Sequence, residues 1–362
     1  MSHYEERLQA DLDRIRTQLH EIDGRVVQAV HDAVTATVQD DRKLANLTTL
    51  RDRAINHGVR SLDRLCHVFV VRHVPTAGHL RWVSSILRLT VALERSGDYA
   101  AMVCRETVQL QKRPPKRILE DIEVLGREAE RIIRQSVEAF TAGSAELARS
   151  TVDSTQLADD AFKRAYGNLV EAGERREISV RDLLGLQVML RSLKRVSDQG
   201  DNICQQTLFT VAGETKDRKV FRILFVDERN DTLSQLAEAY ARRAFPESGH
   251  YSSAGWRPAE AIPPPIARFL DETGRSIGDR KPRLLAPRDD EDKHYHVIIG
   301  LQGDPRPRLE TVPFLTASLD WDVGPPPDPG APDAEGQIQE AYRRLGHRIH
   351  ELMEMLQGPD AE

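Results

Sequence analysis

The feature that most constrains this chain is a run of identical residues that recurs one hundred positions later. "LERSGDYAAMVCRET" (93–107) and "LKRVSDQGDNICQQT" (193–207) align Leu93 with Leu193, Arg95 with Arg195, Asp98 with Asp198, Cys104 with Cys204 and Thr107 with Thr207. Self-similarity at a fixed offset marks a fold built from two copies of one supersecondary unit. Before the first copy, Leu8, Leu12, Ile15, Leu19, Ile22, Val26, Ala29 and Ala33 step by four and three. That spacing places one apolar stripe along a long helix. A second helix follows, with Asp40 and Asp41 as capping residues. Pro75 and Gly78 then interrupt the pattern before a third helix that carries Trp82, Ile86, Leu89 and Leu93.

"KRPPKR" (112–117) is a clear break, after which the pattern restarts. Ile118, Ile122, Leu125, Ala129, Ile132, Ile133 and Val137 open the fourth helix, the fifth spans about Glu146 to Glu171, and Leu183, Leu186, Leu190 and Leu193 stripe the sixth. Each set of three buries its stripes as an up-down-up bundle. Near residue 216 the character changes. "KVFRILFV" (219–226) reads as a buried strand, "LSQLAEAYARRAF" as an amphipathic helix, and "GHYSSAGWRP" as a strand with a turn. "PPPIARFLDETG" reads as a Pro-initiated helix, "YHVIIGL" and "TVPFLTASL" as further strands, and the segment after the stiff "GPPPDPGAP" loop as a closing helix. Strands that alternate with helices imply a parallel sheet. The expected fold class is therefore multi-domain: all-α tandem three-helix bundle repeats followed by an α/β doubly wound parallel-sheet domain. The expected boundaries are 1–111 and 117–212 for the repeats and 219–358 for the α/β domain.

A net charge of −6 argues against non-specific binding of nucleic acid, which needs a basic surface. The three cysteines, at 66, 104 and 204, have no metal or redox spacing, and Cys104 and Cys204 fall on apolar stripes as small core residues. The first residues lack the apolar segment of a secretory signal, and no run approaches the roughly 18 apolar residues of a membrane span. A cytoplasmic protein is the resulting expectation. His294 and His296 share one strand face, a geometry that suits either a metal pair or surface residues, and no third ligand is evident.

Glu94 and Asp98 are four apart and project from one face of the third helix. Like charges at that spacing repel, and a hard cation would reverse the cost. The competing explanation is a solvated face paired to Arg88 and Arg95. Asp198 recurs in the second copy with Asp201 and Asn202 close by, but the place of Glu94 is taken by Lys194.

These segments resemble the PhoU family, phosphate-uptake regulators built from two three-helix repeats that each carry E-R-x-G-D-x-A. "LERSGDYA" is a close match, "LKRVSDQGDNI" retains R-x-x-D without the glutamate, and "RHVPTAGHLRW" resembles the family's turn into its third helix. The resemblance spans roughly residues 1–210. It implies a metal ion (iron, zinc or magnesium) on Glu94, Asp98 and, in the second repeat, Asp198. Acids on the second helices would join them: Asp52 beside Asn56, and Asp159 beside Lys163. The partners implied are a subunit of a phosphate ABC transporter or a sensor histidine kinase. The oligomeric state stays open, a homodimer included.

"RILFVDERNDTLSQLAEAYARRAF", "YSSAGWRP" and "PPPDP" resemble the low-molecular-weight tyrosine phosphatase and arsenate reductase superfamily, whose loop reads C-x5-R-S. In register, Asp227 stands at the nucleophilic cysteine, Leu233 at the oxyanion-clamping arginine, Ser234 at the serine and Asp328 at the general acid. Without thiolate or guanidinium the loop is a degenerate phosphate loop, and a regulatory module is expected there rather than an enzyme. Asp227 as a phosphoacceptor is disfavoured because Arg229 stands where an aspartyl-phosphate motif needs its second acid; capping of the next helix is the simpler role.

Overall fold

The computed structural model describes residues 3–213, 220–272, 281–285, 295–309 and 316–357. The chain divides into two compact units, Met1–Lys216 and Asp217–Glu362. The first holds α1 (His3–Gln39), α2 (Arg42–His73), α3 (Ala77–Gln109), α4 (Lys116–Ala142), α5 (Ala145–Glu174) and α6 (Val180–Ala212). Side-chain caps begin three of them. Asp41 accepts the Leu44 N–H at 2.9 Å, Ser144 that of Leu147 at 3.1 Å and Ser179 that of Asp182 at 3.1 Å. Asp40 does not share the capping role expected of it and takes a left-handed φ of 56° instead. Gly78 lies inside the first turn of α3, where backbone N–H groups need no helical partner, so the break rests on Val74 and Pro75.

The apolar stripes meet in one core that runs through both repeats. Ile15, Leu19, Ile22 and Val26 of α1 pack with Ile86, Leu89 and Leu93 of α3, and the same core takes in Ile118, Ile122, Leu125 and Ile133 of α4 and Leu186, Leu190 and Leu193 of α6. Helices α3 and α6 run antiparallel along their length. Ser85 meets Thr210, Arg88 donates to Gln206 Oε1, Arg195 donates to Tyr99 Oη and Arg181 donates to Gln109 Oε1, so one number falls as the other rises. Gly200 lets α6 close on α4, since a Cβ there would lie 2.5 Å from Ile132 Cγ2.

In the second unit β1 (Phe221–Asp227), α7 (Leu233–Ala244), β2 (Gly249–Gly255), α8 (Pro264–Glu272), β3 (Val297–Gly300), β4 (Ala317–Asp320) and α9 (Ala334–Gln357) form a sheet of order β2-β1-β3-β4 with every neighbouring pair parallel. Both faces are covered: Phe221, Ile223 and Phe225 pack on Leu236, Ile338 and Leu345, while Leu224, Val226 and Ile298 pack with Ala254 on the other side. That is the doubly wound sheet expected from the near-continuous apolar strands. The order reverses between β1 and β3, and the carboxyl end of β1, where Asp227 stands, is the switch point at which such sheets build ligand sites. Of the expected strand "TVPFLTASL" only the end, Ala317–Asp320, is observed; 311–315 lie outside the described residues, as does His294.

In the helical unit a half-buried carboxyl is set apart by its raised pKa. The Asp23 carboxyl on α1 is pushed up to about 7 by burial, opposed by Arg134, and its Oδ1 accepts no hydrogen bond among the described residues. A carboxyl raised in the fold from its unfolded value near 3.9 binds its proton more tightly when folded, so stability declines as pH rises towards 7. Asp23→Asn removes that decline. Its advantage over the wild type should grow by about 2–3 kcal/mol between pH 5 and pH 8 in urea unfolding; a pH-independent difference would refute the assignment.

Candidate functional site

Asp52 is buried on α2 at the point where α3 comes closest. A Cβ on Gly97 would lie 3.2 Å from Asp52 Oδ1, so the glycine of "RSGD" sets the approach of the two helices. Asp52 Oδ2 accepts a hydrogen bond from Asn56 Nδ2 at 3.1 Å, but Asp52 Oδ1 and Asn56 Oδ1 are buried and accept none among the described residues. Burial and then the charge of Asp98 push the Asp52 carboxyl above its ordinary value, against Arg105 and the bond from Asn56. Arg88, the competing partner for these acids, instead donates to Gln206. Two repelling carboxylates beside two donor-less buried oxygens are chemically matched to a hard cation, which takes carboxylate and amide oxygens. Glu94 lies one turn earlier on α3 and is half-buried. Among the described residues, no three His, Cys, Asp or Glu side chains stand close enough together to hold an ion as they are.

The second repeat resolves the same problem differently. Lys194 on α6 places Nζ 2.7 Å from Asp159 Oδ1 on α5 and donates to Asp198 Oδ1 on its own helix. Burial works against the ammonium, yet the bonds to both carboxylates carry it above its ordinary value. Asp198, expected as a metal ligand, is therefore held by an internal cation. Lys163 turns to Asp160, 3.6 Å away.

In the second unit the loop after β1 folds around Asp227. Its Oδ1 accepts the Asn230 N–H at 2.5 Å and its Oδ2 the Ser234 N–H at 2.8 Å, in the first turn of α7. The side chain is buried, and desolvation pushes the carboxyl up against the pull of those bonds. Asn230 has a left-handed φ of 50° and donates from Nδ2 to Ser234 Oγ, and its Oδ1 accepts the Arg283 N–H at 2.7 Å. Gly255, at the end of β2, allows the loop backbone to pack there, since a Cβ would meet Asn230 N at 2.7 Å. Leu233 is buried in the core. The loop has the N–H donors of an anion cradle, and a carboxyl group of the chain itself fills it.

The remaining expected residues have local roles. Asp328 Oδ1 accepts the Gly330 N–H at 2.9 Å, which makes it a turn residue. His296 Nδ1 accepts the Arg222 N–H at 2.9 Å. Burial pushes the Cys104 and Cys204 thiols up to about 12, so both are inert core groups. Two features escaped sequence reasoning: the reach of Lys194 to Asp159, and the part of Asn230. For Asn230 a signal existed, since asparagine is the commonest non-glycine residue in left-handed turns.

Two tandem three-helix repeats with acids at the contact of their second and third helices define the class of the first unit. The family model described as PhoU domain matches residues 19–107 and 122–207. A phosphate-specific transport system accessory protein PhoU homolog from Pseudomonas putida is 30% identical over 213 residues, 58% of this chain and 83% of that protein. The crystal structure of PhoU from Pseudomonas aeruginosa superposes with a TM-score of 0.54 at 30% identity, covering 57% of this chain and 99% of that one. This chain belongs to the PhoU family. An arsenate reductase from Archaeoglobus fulgidus overlaps 36% of this chain and 97% of its own at 23% identity and a TM-score of 0.29; the fold of the second unit rests on its own strand order.

Asp227→Ala leaves the Asn230 and Ser234 N–H groups buried and unmet, at about 1–3 kcal/mol each. Chemical denaturation of the full chain should show the α/β transition shifted to lower denaturant, with a smaller shift for Asp227→Asn. An unshifted transition for Asp227→Ala would contradict the cradle geometry.

Proposed function

We propose that this chain is an accessory regulator of phosphate-specific transport that acts by protein–protein contact in the cytoplasm. The observation that carries this reading is the complete pair of PhoU repeats, which covers 83% of a relative named for that transport system. Among the described residues no helix is long and apolar enough to cross a membrane, so contact with a transporter falls to the helix surfaces. The partner is a subunit of a phosphate ABC transporter or a sensor histidine kinase. Deleting the gene should raise phosphate uptake in phosphate-rich medium, and the tagged full chain should co-purify one of those two partners. Unchanged uptake together with neither partner recovered would overturn the reading.

The first repeat holds one hard cation, and the donor-less oxygens of Asp52 and Asn56 support it. Asp52, Glu94 and Asp98 would be its carboxylate ligands, with iron, zinc or magnesium as the ion. Its charge would offset the repulsion between Asp52 and Asp98 and tie α2 to α3. Elemental analysis of protein purified without chelator should find about one ion per chain, lost in Asp98→Asn.

The α/β unit is a pseudophosphatase, a reading supported by Asp227 in the cradle and Leu233 in the core. An anionic substrate would meet a buried carboxylate, and no thiolate or guanidinium stands at the loop positions of Asp227 and Leu233. The rival is a phosphatase or arsenate reductase. Turnover of para-nitrophenyl phosphate that disappears in Asp227→Ala, with the variant still folded, would establish the rival.

A further inference from the structure

We infer that Lys194 is a tethered counter-ion that takes the place of a metal in the second repeat, so that this repeat is metal-independent whether or not the first binds an ion. The two repeats put equivalent groups at equivalent places. Asp52 and Asp159 stand on the second helices, Asp98 and Asp198 on the third, and Glu94 corresponds to Lys194. In the first repeat the group on the third helix is a third acid, Glu94. In the second it is an ammonium in direct contact with both carboxylates, one on each helix. The residues therefore do not fit a metal. A fixed positive charge already occupies the position between the acids, and a divalent ion placed there would be repelled by it at contact distance.

The chemical consequence is specific. The ammonium brings one charge and three donors where an ion would bring two or three charges and accept several oxygen ligands. It bridges α5 to α6 through a hydrogen bond to Asp198 and an ion-pair contact with Asp159, and it cannot be removed by chelation or exchanged for another ion. Any response of the protein to metal supply must then enter through the first repeat alone. Lys163, at the position of Asn56, adds a second cation to this surface through Asp160. Lys194→Glu would reverse the arrangement by setting three carboxylates, Asp159, Asp198 and the new one, around the same point.

The test is metal stoichiometry in the full chain, measured by elemental analysis after equilibration with zinc and, separately, with iron. Lys194→Glu should bind about one equivalent more than the wild type, and its melting temperature should fall in chelator and recover on adding zinc. Lys194→Met should gain no ion and should not recover. In the Lys194-containing chain, Asp159→Asn and Asp198→Asn should leave metal content unchanged. A loss of metal in either would place an ion in the second repeat and overturn the inference, as would a folded Lys194→Glu that gains none. Should Lys194→Glu fail to fold, the two aspartate variants decide. If the first repeat binds no ion, every count falls by the same amount and the differences remain, so the two readings fail separately.

Discussion

Everything in the helical unit depends on the burial of two facing stripes, one on α3 and one on α6. These two helices lie antiparallel across the middle of the unit, and α1, α2, α4 and α5 complete the core around them. Close packing leaves little tolerance for volume. Small residues recur where helices must touch, at Gly97 against Asp52 and Ile55 and at Gly200 against Ile132. The same close approach has an electrostatic cost. A glycine that brings α2 onto α3 also brings the buried Asp52 towards the exposed Asp98, whose charge adds to burial in raising the Asp52 carboxyl. The acidic pair of the first repeat is thus a product of the packing.

The two repeats give different answers to one constraint. In the first, Asp52 is buried beside the exposed Asp98, and Glu94 adds a third acid one turn away on α3. In the second, Lys194 makes the answer part of the chain. Both carboxylates are partly open to solvent, Asp159 39% and Asp198 50% exposed, so the ammonium meets them at the edge of the core that the two repeats share.

The helical half was legible because its information is periodic. Steps of three and four define the stripe, and Ser, Asp and Gly mark the ends, so the observed helices differ from the expected ones by a few residues at Gly78, Glu146 and Glu171. The parallel sheet was legible for the same reason, in strands apolar on both faces. What stayed hidden were contacts between distant residues. Lys194 read as a fixed positive charge in the place of a glutamate, but its contact with Asp159 stayed hidden, because Asp159 lies on another helix and nothing in the local pattern sets their separation. At Asp227 the register showed that a cysteine was missing. Capping of the next helix was legible as its role, and the bond from the Ser234 N–H agrees; the further bond from the Asn230 N–H was not, because backbone groups leave no trace in residue identity.

The loop after β1 shows how a cluster of backbone donors is met from within the chain. The carboxyl end of β1 at the switch point leaves N–H groups of the loop and of the first turn of α7 pointing at one spot. Those donors cannot be buried empty, so an acceptor of the chain has to meet them. Asp227 does this at the first position of the loop, with the reach to bond both Asn230 and Ser234. A neutral side chain of that size would leave at least one donor short. Once Asp227 is in place, an arginine at 233 would have no free anion to clamp, and a leucine that extends the core is the more stable choice. The residues at 227 and 233 therefore act together: the first meets the N–H donors of the loop, and the second extends the core.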